Sequence, residues 1–405
     1  MELTNEEQAM LAGEQGPAVQ KAMQILCALG AIYAARSMTL VSSVQIAGVS
    51  YDNLGEAGLS WLSEMADGGG QARVLTTLNP AGIDVDNWQA LGISAEFAAN
   101  QQRVLDAFQR MGVVVTCTCT PYLIGNTPHY GQHLAWAESS AVCYANSVLG
   151  ARSNREGGPS ALAAALTGRT PAYGMHLDEH RRPDWTVQVQ AHLSGGHTFG
   201  ALGKAIGERL EALPGAANRK TVYIRGVAQA TLEELKAFCA SLATYGGAAL
   251  FHMQGVTPEV ALYAPPQEGF TIDQAALDAA LRSMSDAAPE QVDFVSLGCP
   301  HLSIEEIARL ARLLHGRTVQ REFWITTARA TKSIADRMGY TAIIEASGAR
   351  FAADTCCVVA PIRGRFTALA TDSAKACYYA YAKNKFHTYY SSFEDVVRLA
   401  TLPAA

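Results

Sequence analysis

Short apolar runs alternate with longer segments of helical spacing along most of this chain. The clearest runs are residues 113–115, 221–224, 248–251, 293–297 and 323–326. Between such runs, apolar residues recur every three or four positions, as they do from 97 to 111. Strands that alternate with helices form parallel sheets covered by helices. We therefore predict an α/β fold with several lobes of parallel sheet flanked by helices.

Local signals place several elements. Thr4 and Glu7 have the spacing of a capping box before an N-terminal helix, and Ser303 and Glu306 repeat that spacing before a helix toward 314. Residues 54–66 have helical spacing. The runs 38–44 and 72–76 are predicted strands.

Composition excludes several classes of protein. Of 405 residues, 49% are apolar and 17% charged, so the chain can bury a large core. It carries 31 Lys and Arg against 37 Asp and Glu with no basic block, which argues against nucleic acid and anionic membranes as partners. The apolar stretch 22–41 contains Gln24, Gly30 and Arg36 and is not predicted to span a membrane. The N-terminus lacks the pattern of a signal peptide, so we expect a cytoplasmic protein with reduced cysteines.

Cysteines follow two of the predicted strands directly. Cys117 and Cys119 come after the run 113–115, and Cys299 comes after the run 293–297. Ligands of open α/β sheets bind beyond the carboxyl ends of strands. Cys299 also precedes a predicted helix N-terminus, which favours a thiolate. A third motif, Cys356-Cys357, lies further along the chain.

Three interpretations of these cysteines are open. Free cysteines are often small buried hydrophobic residues, and we assign only that role to those on helical patterns, namely Cys27, Cys143, Cys239 and Cys377. A structural zinc site normally shows paired Cys-x2-Cys motifs, which the sequence lacks. Three cysteines from three loops suit an iron–sulfur cluster that leaves one iron open to act as a Lewis acid on a substrate hydroxyl.

The stretch 138–160 is rich in polar residues and glycines. Arg152 and Arg155 are candidate anion ligands, because guanidinium groups bind carboxylate and phosphate in a bidentate way, and Ser147 and Asn154 lie beside them. A solvated loop with a glycine helix cap is the alternative. Asn79 is a further candidate polar contact, in a segment that also fits a simple Pro-Gly turn.

These motifs together resemble one family, the aconitase X catalytic subunit. The resemblance rests on Thr118-Cys119-Thr120-Pro121-Tyr122, Glu138-Ser139-Ser140-Ala141-Val142, Asn146-Ser147, Gly150-Ala151-Arg152, Asn154-Arg155-Glu156-Gly157-Gly158-Pro159-Ser160, Gly298-Cys299-Pro300-His301 and Asp354-Thr355-Cys356. Further matches are Gly48-Val49-Ser50-Tyr51, the run 76–82 and Ser373-Ala374-Lys375, so the resemblance covers essentially the whole chain.

The resemblance implies a hydro-lyase with an iron centre, either an iron–sulfur cluster (2Fe-2S or 4Fe-4S) or mononuclear iron. The positions that match the family's metal ligands are Cys119, Cys299 and Cys356, with Cys117 and Cys357 as adjacent alternatives. We predict Glu138 and His301 as catalytic residues. The predicted substrate ligands are Asn79, Ser147, Arg152, Asn154 and Arg155.

Two substrates are implied by the family. One is cis-3-hydroxy-L-proline, which gives 1-pyrroline-2-carboxylate, and the other is mevalonate 5-phosphate, which gives its anhydro derivative. Both reactions remove a proton beside a carboxylate and expel a hydroxyl from the next carbon. The lack of a separate basic cluster for a phosphate favours the hydroxyproline substrate, whereas the run 154–159 favours the mevalonate phosphate. We predict cis-3-hydroxy-L-proline as the substrate, with mevalonate 5-phosphate as the alternative. Gln45 departs from related sequences, which often carry a histidine in this stretch.

The family also has a small swivelling domain that closes over the metal, and no segment here resembles it. We therefore expect residues 1–405 to be the large catalytic region, with two or three α/β lobes. A separate small subunit is the expected partner and the expected source of the general base. Two rival hypotheses are a non-catalytic metal-binding or redox-sensing protein, and an enzyme that uses Cys299 as a thiol nucleophile with His301.

Overall fold

The computed structural model describes residues 1–215 and 219–403. The chain divides into two compact units, Met1–Arg182 and Pro183–Ala405. In the described part of the chain, no helix combines the length and the apolar character that a membrane span requires.

The first unit packs helices against a small parallel sheet. Its helices are α1 (Asn5–Ala12), α2 (Pro17–Ile32), α3 (Tyr51–Asp67), α4 (Ala95–Arg110), α5 (Ser139–Ser147) and α6 (Gly158–Thr167). Its strands are β1 (Met38–Leu40), β2 (Ser43–Ile46), β3 (Leu75–Leu78), β4 (Leu134–Trp136) and β5 (Arg169–Pro171). The core includes fully buried Leu26, Val44, Val104 and Leu166, which come from α2, β2, α4 and α6.

The parallel sheet of this unit has the strand order β3-β2-β4. Ser43 on β2 pairs with Leu75 on one side and with Leu134 on the other. The chain runs from β2 to β3 and later returns to the opposite side of β2 for β4. Connections that leave a strand in opposite directions open a crevice at its carboxyl end, where ligands bind in α/β proteins. That crevice lies beyond Ile46 and Trp136.

The second unit contains two larger sheets. Its helices are α7 (Gly195–Ala212), α8 (Leu232–Tyr245), α9 (Gln274–Ser283), α10 (Ile304–Leu314), α11 (Arg329–Arg337), α12 (Tyr340–Ala346), α13 (Ala374–Tyr379) and α14 (Phe393–Thr401). Its strands are β6 (Trp185–Val189), β7 (Val222–Arg225), β8 (Phe251–Met253), β9 (Gly269–Ile272), β10 (Phe294–Leu297), β11 (Glu322–Thr327), β12 (Arg350–Ala353), β13 (Ala368–Thr371) and β14 (His387–Tyr390).

Both of these sheets are parallel, and both repeat the topology of the first unit. Their orders are β8-β7-β6-β9 and β12-β11-β10-β13-β14. In the second of them the chain runs outward from β10 to β12 and then returns to the other side of β10 for β13. The resulting crevice lies beyond Leu297 and Thr371. The predicted α/β class with parallel sheets is confirmed.

Several predicted elements have different bounds. The run 113–115 is not a strand, since Val114 forms a single bridge to Thr77 and stays 49% exposed. Regular strand pairing is interrupted there because the Thr116 hydroxyl, instead of its backbone, bonds to Leu78 N and Leu78 O, and because Cys117 adopts a φ of 43°. The run 38–44 forms two strands, because the chain passes at Val41 from an antiparallel pairing with β5 to the parallel sheet. Both predicted capping boxes are present.

Candidate active site

A buried carboxylate and a buried amide meet at the carboxyl edge of the first unit's sheet. Asn79 follows β3, and Glu138 follows β4 as the residue that caps α5. Asn79 Nδ2 donates a hydrogen bond to Glu138 Oε2 at 2.7 Å, while Ser140 Oγ donates to Glu138 Oε1 at 2.9 Å. Asn79 Oδ1 is buried and has no hydrogen-bond partner among the described residues. This arrangement offers a ligand one amide oxygen beside a carboxylate held in a fixed orientation, which suits proton transfer.

The segment with Cys117 and Cys119 crosses the same edge. Thr118 N donates to Leu78 O at 2.9 Å, and Thr118 O accepts from Gln45 Nε2 at 2.8 Å, so both neighbouring strands hold its backbone. Cys117 is fully buried in the apolar core, whereas Cys119 remains 8% exposed. Of the two thiols, Cys119 is therefore the less enclosed.

The turn between α5 and α6 uses several predicted substrate ligands for internal contacts. Arg152 forms an ion pair with Asp178, with 2.5 Å between its guanidinium and the carboxylate. Asn154 Nδ2 donates to Tyr173 O and its Oδ1 accepts from Met175 N, so this amide holds the turn that follows β5.

The two other predicted ligands of this turn differ in exposure. Ser147 is buried at the end of α5, and Arg155 is exposed. The structure thus gives Arg152 and Asn154 structural partners and leaves Arg155 as the more accessible cation.

Two histidines of the first unit share one hydrogen bond. His133 Nδ1 and His176 Nδ1 are 2.9 Å apart, and the two rings are stacked. Burial lowers the pKa of His176 to about 3, with further lowering from His133, Arg181 and Arg152. Burial and the same two arginines also lower the pKa of His133, which Asp178 partly opposes. Both rings are therefore neutral in the folded protein at pH 7.

This pair predicts an acid-sensitive first unit. Below an ordinary histidine pKa near 6.5, a histidine that is neutral in the folded protein takes up a proton on unfolding, which favours the unfolded state. The contribution of the neutral ring to the free energy of unfolding is therefore complete above pH 6.5 and is lost as the pH falls toward the folded pKa of about 3. We expect the free energy of unfolding to drop by about 1.4 kcal/mol per pH unit below pH 6.5. Thermal or denaturant unfolding between pH 7.5 and 5 measures this slope.

The control variants separate this pair from histidines in general. His176→Gln removes one titrating ring and should flatten the slope, whereas His129→Gln changes an exposed histidine and should leave it unchanged. Equal slopes for the wild type and His176→Gln would show that the pair does not carry the acid sensitivity.

The second unit contains a cavity of about 210 Å³ at the crevice between β10 and β13. Gly298 and Cys299, which follow β10, and Asp372 and Ser373, which follow β13, line its wall. A Cβ on Gly298 would lie 2.2 Å from Thr326 O, so only glycine fits at the end of this strand. The peptide bond from Cys299 to Pro300 is cis. The cavity places the Cys299 thiol at the position where α/β sheets bind ligands.

Other cysteines of the second unit surround Cys299. Burial raises the pKa of the Cys357 thiol, and the neighbouring thiols of Cys356 and Cys299 raise it further. Cys356 is 6% exposed and Cys357 is 3% exposed. Two of the three predicted metal ligands, Cys299 and Cys356, therefore lie near one common neighbour within this unit.

The loop that carries Cys356 is fixed on both sides. Arg329 donates from Nε and from one terminal nitrogen to a carboxylate oxygen of Asp354, at 3.0 and 2.6 Å. Asp354 has a φ of 65°. His301 Nε2 lies 3.0 Å from Thr355 O, and His301 is completely buried. In the structure, His301 contacts the backbone of the loop that carries Cys356 and does not line the cavity.

The charged side chains that line the cavity come from distant parts of the chain. They are not among the site residues predicted from the sequence. Lys236 on α8 pairs with Glu306 on α10, and its Nζ also donates to His301 O at 2.9 Å. Burial and the Glu306 carboxylate raise the pKa of Asp372 to about 7. Lys236 sits on an ordinary amphipathic helix, so no local pattern marks it. The serine that caps α13, Ser373, belongs to a quoted motif but was assigned no role.

Within the described part of either unit, no group of three or more His, Cys, Asp or Glu side chains is arranged to hold a metal ion. The predicted ligands are Cys119 in the first unit and Cys299 and Cys356 in the second. None of the three forms a disulfide bond.

Comparison with known proteins covers nearly the whole chain. Family models described as the first, second and third domains of aconitase X match residues 1–179, 183–282 and 292–402. The phosphomevalonate dehydratase large subunit of Methanothermobacter thermautotrophicus is 44% identical over 399 residues, which is 98% of each chain. The cis-3-hydroxy-L-proline dehydratase of Pseudomonas aeruginosa is 35% identical over 392 residues, which is 92% of this chain and 65% of that protein.

A solved structure has the same fold. The crystal structure of Thermococcus kodakaraensis aconitase X, described as the holo-form, superposes with a TM-score of 0.91 at 40% identity and covers 99% of this chain and 100% of that one. The dehydratase relatives, which match nearly the whole of this chain, define the class of protein, a carbon–oxygen hydro-lyase. The chain belongs to the aconitase X family. The predicted family and the predicted enzyme class are thus confirmed.

Proposed function

We propose that this chain is the large subunit of a phosphomevalonate dehydratase. The observation that carries this proposal is the 44% identity to a named large subunit of that enzyme, against 35% to a hydroxyproline dehydratase. The sequence favours cis-3-hydroxy-L-proline in one respect, because it shows no separate basic cluster for a phosphate. The accessible Arg155 supplies a cation without such a cluster.

The reaction removes a proton from the carbon beside the substrate carboxylate and expels the hydroxyl from the next carbon as water. Glu138 is the proposed group that holds a proton, at an Oε atom oriented by Asn79 and Ser140. Asn79 Oδ1, which has no other described partner, is proposed to accept a hydrogen bond from substrate. Arg155 is the proposed ligand for an anionic group of the substrate.

The proposed cofactor is an iron–sulfur cluster on Cys119, Cys299 and Cys356. The chemistry of the donors supports this proposal, because iron–sulfur clusters are held by cysteine thiolates, none of the three residues forms a disulfide bond, and Cys299 lines a cavity. When bound, the cluster would supply Lewis-acid polarisation of the substrate hydroxyl. The Arg329–Asp354 pair and the contact of His301 with Thr355 O keep the Cys356 loop in place for it.

The proposed partner is a small subunit. Four relatives from methanogens and Thermococcus are named as large subunits, which supports a second chain. His301 is buried behind the cysteine loop, so a residue of the partner is the better source of a second acid–base group.

Substrate choice is testable directly. The chain is co-expressed anaerobically with the proposed small subunit, and the purified complex is given mevalonate 5-phosphate or cis-3-hydroxy-L-proline. We expect loss of water from mevalonate 5-phosphate, seen as an 18 Da decrease by mass spectrometry. The kcat/KM should be at least about 100-fold above that for hydroxyproline, because Arg155 is proposed to pair with the phosphate, which hydroxyproline lacks.

Two results would count against the proposal. Preferential dehydration of cis-3-hydroxy-L-proline would show that this compound, and not mevalonate 5-phosphate, is the substrate. Full activity of the large chain without its partner would show that the second subunit takes no part in the mechanism.

An anaerobic visible spectrum with an iron and sulfide assay tests the cofactor separately. A colourless zinc protein would instead support the non-catalytic alternative.

A further inference from the structure

One side chain of α4 joins the loops that follow β2 and β3. Gln101 is completely buried. Its Oε1 accepts hydrogen bonds from Tyr51 N at 2.9 Å and from Gly82 N at 3.0 Å. Its Nε2 donates to Val49 O at 3.0 Å. These bonds span 50, 19 and 52 positions of sequence and involve no neighbour on the helix itself.

The loop after β2 depends on this support because the backbone on either side of Tyr51 is irregular. Gly48 in the loop has a φ of 80°, and Gly55, inside α3, has a non-helical φ of 57°. A Cβ on Gly82 would lie 2.7 Å from Ser50 Oγ, which shows that the loops touch. Buried backbone groups that lose their hydrogen-bond partner are costly, so Gln101 selects one spacing between the loops.

We propose that Gln101 is a positioning residue of the active site, which sets the distance between the loop 48–51 and the loop that carries Asn79. Both loops lie at the carboxyl edge of the sheet, where the substrate is proposed to bind, so this inference rests on the proposed function. Gln101 touches no reacting atom in this account. It acts through the backbone of Val49, Tyr51 and Gly82 on the orientation of the Asn79 amide.

The test compares Gln101→Met with Asn126→Leu in the complete enzyme. Met has a similar length but makes none of the three hydrogen bonds. Asn126 is a matched control, because its Nδ2 donates to Thr77 Oγ1 of β3 at 3.0 Å and to Val44 O of β2 at 3.4 Å, so it joins the two strands that precede these loops. Gln101→Met should raise the KM about tenfold and change kcat less than about threefold, since lost alignment weakens substrate binding. Hydrogen–deuterium exchange should become faster at residues 49–54 and 80–84.

The control variant should unfold more easily but keep its KM and its exchange in both loops. If Gln101→Met does not fold, Gln101→Asn is used, which keeps a neutral amide in the buried position but is one methylene too short to make all three hydrogen bonds, and it should show an increase of the same kind. Unchanged loop exchange, or an equal rise of KM in Asn126→Leu, would overturn the proposal.

The exchange measurement needs no substrate, so it separates this inference from the proposed function. If the wild-type enzyme prefers cis-3-hydroxy-L-proline, the proposed substrate fails and the KM comparison is made with hydroxyproline. If the wild type dehydrates neither compound, faster exchange confined to the two loops supports Gln101, and its absence contradicts it.

Discussion

Replacing Cys299 by serine should abolish turnover and metal loading together. Serine has nearly the same volume, and Cys299 lies partly exposed on a cavity wall, so the fold should persist. A hydroxyl is a poor iron ligand at neutral pH, and Lewis-acid activation is worth several kcal/mol, so we expect kcat/KM to fall by at least about 1,000-fold. Anaerobic iron and sulfide analysis of the purified complex, with the visible spectrum, measures loading alongside activity.

Cys239→Ser is the matched control for this prediction. Cys239 is buried on α8 of the same unit and is expected only to pack. This variant should lose some stability and keep both the metal and the activity. If Cys299→Ser retains metal and activity, Cys299 is not a ligand and the three-cysteine hypothesis is wrong.

Glu138→Gln should lower kcat by about 100- to 10,000-fold, the range that a general acid–base group contributes. Folding should be little affected, because a glutamine oxygen still accepts from Ser140 and the Asn79 amide can turn its buried, unpartnered Oδ1 toward the new NH2 group. A steady-state assay gives kcat, and circular dichroism with thermal unfolding shows that the fold is intact.

The control is another buried carboxylate of the first unit. Glu7 is 6% exposed, caps the start of α1 and pairs with Arg169. Glu7→Gln should reduce stability and leave kcat unchanged. If Glu138→Gln and Glu7→Gln both lower kcat by the same small factor, and that loss follows their loss of stability, Glu138 is structural and takes no part in proton transfer.

The sequence was a good guide wherever the signal is local. The capping boxes at Thr4 and Ser303 are present because a capping side chain and its partner lie three residues apart and need no other part of the chain. The run 293–297 became β10, since a buried parallel strand is apolar along its length. The run 113–115 is also apolar, but the Thr116 side chain and the positive φ of Cys117 interrupt regular strand pairing there, and composition does not record that interruption.

The candidate site residues also fall into two groups, those with a local sequence signal and those without one. The strand-end cysteines and the Glu138 motif were found because their chemistry is unusual for a loop, and their family resemblance spans the chain. Gln101 and Lys236 were missed because each sits on an ordinary helix and makes its important contacts 19 or more residues away in the sequence. Asn154 and Arg152 were predicted to bind substrate, and the structure shows that both hold neighbouring backbone or side chains.

The sequence by itself determined the α/β class, the family and the type of reaction. Strand and helix periodicity and the motifs depend only on residues that are close together in the sequence. Only the tertiary structure decided that β4 and β13 return to the far side of β2 and β10, which opens the two crevices. The direction of a crossover connection is set by packing of whole helices on a sheet and leaves no mark in any short stretch of sequence.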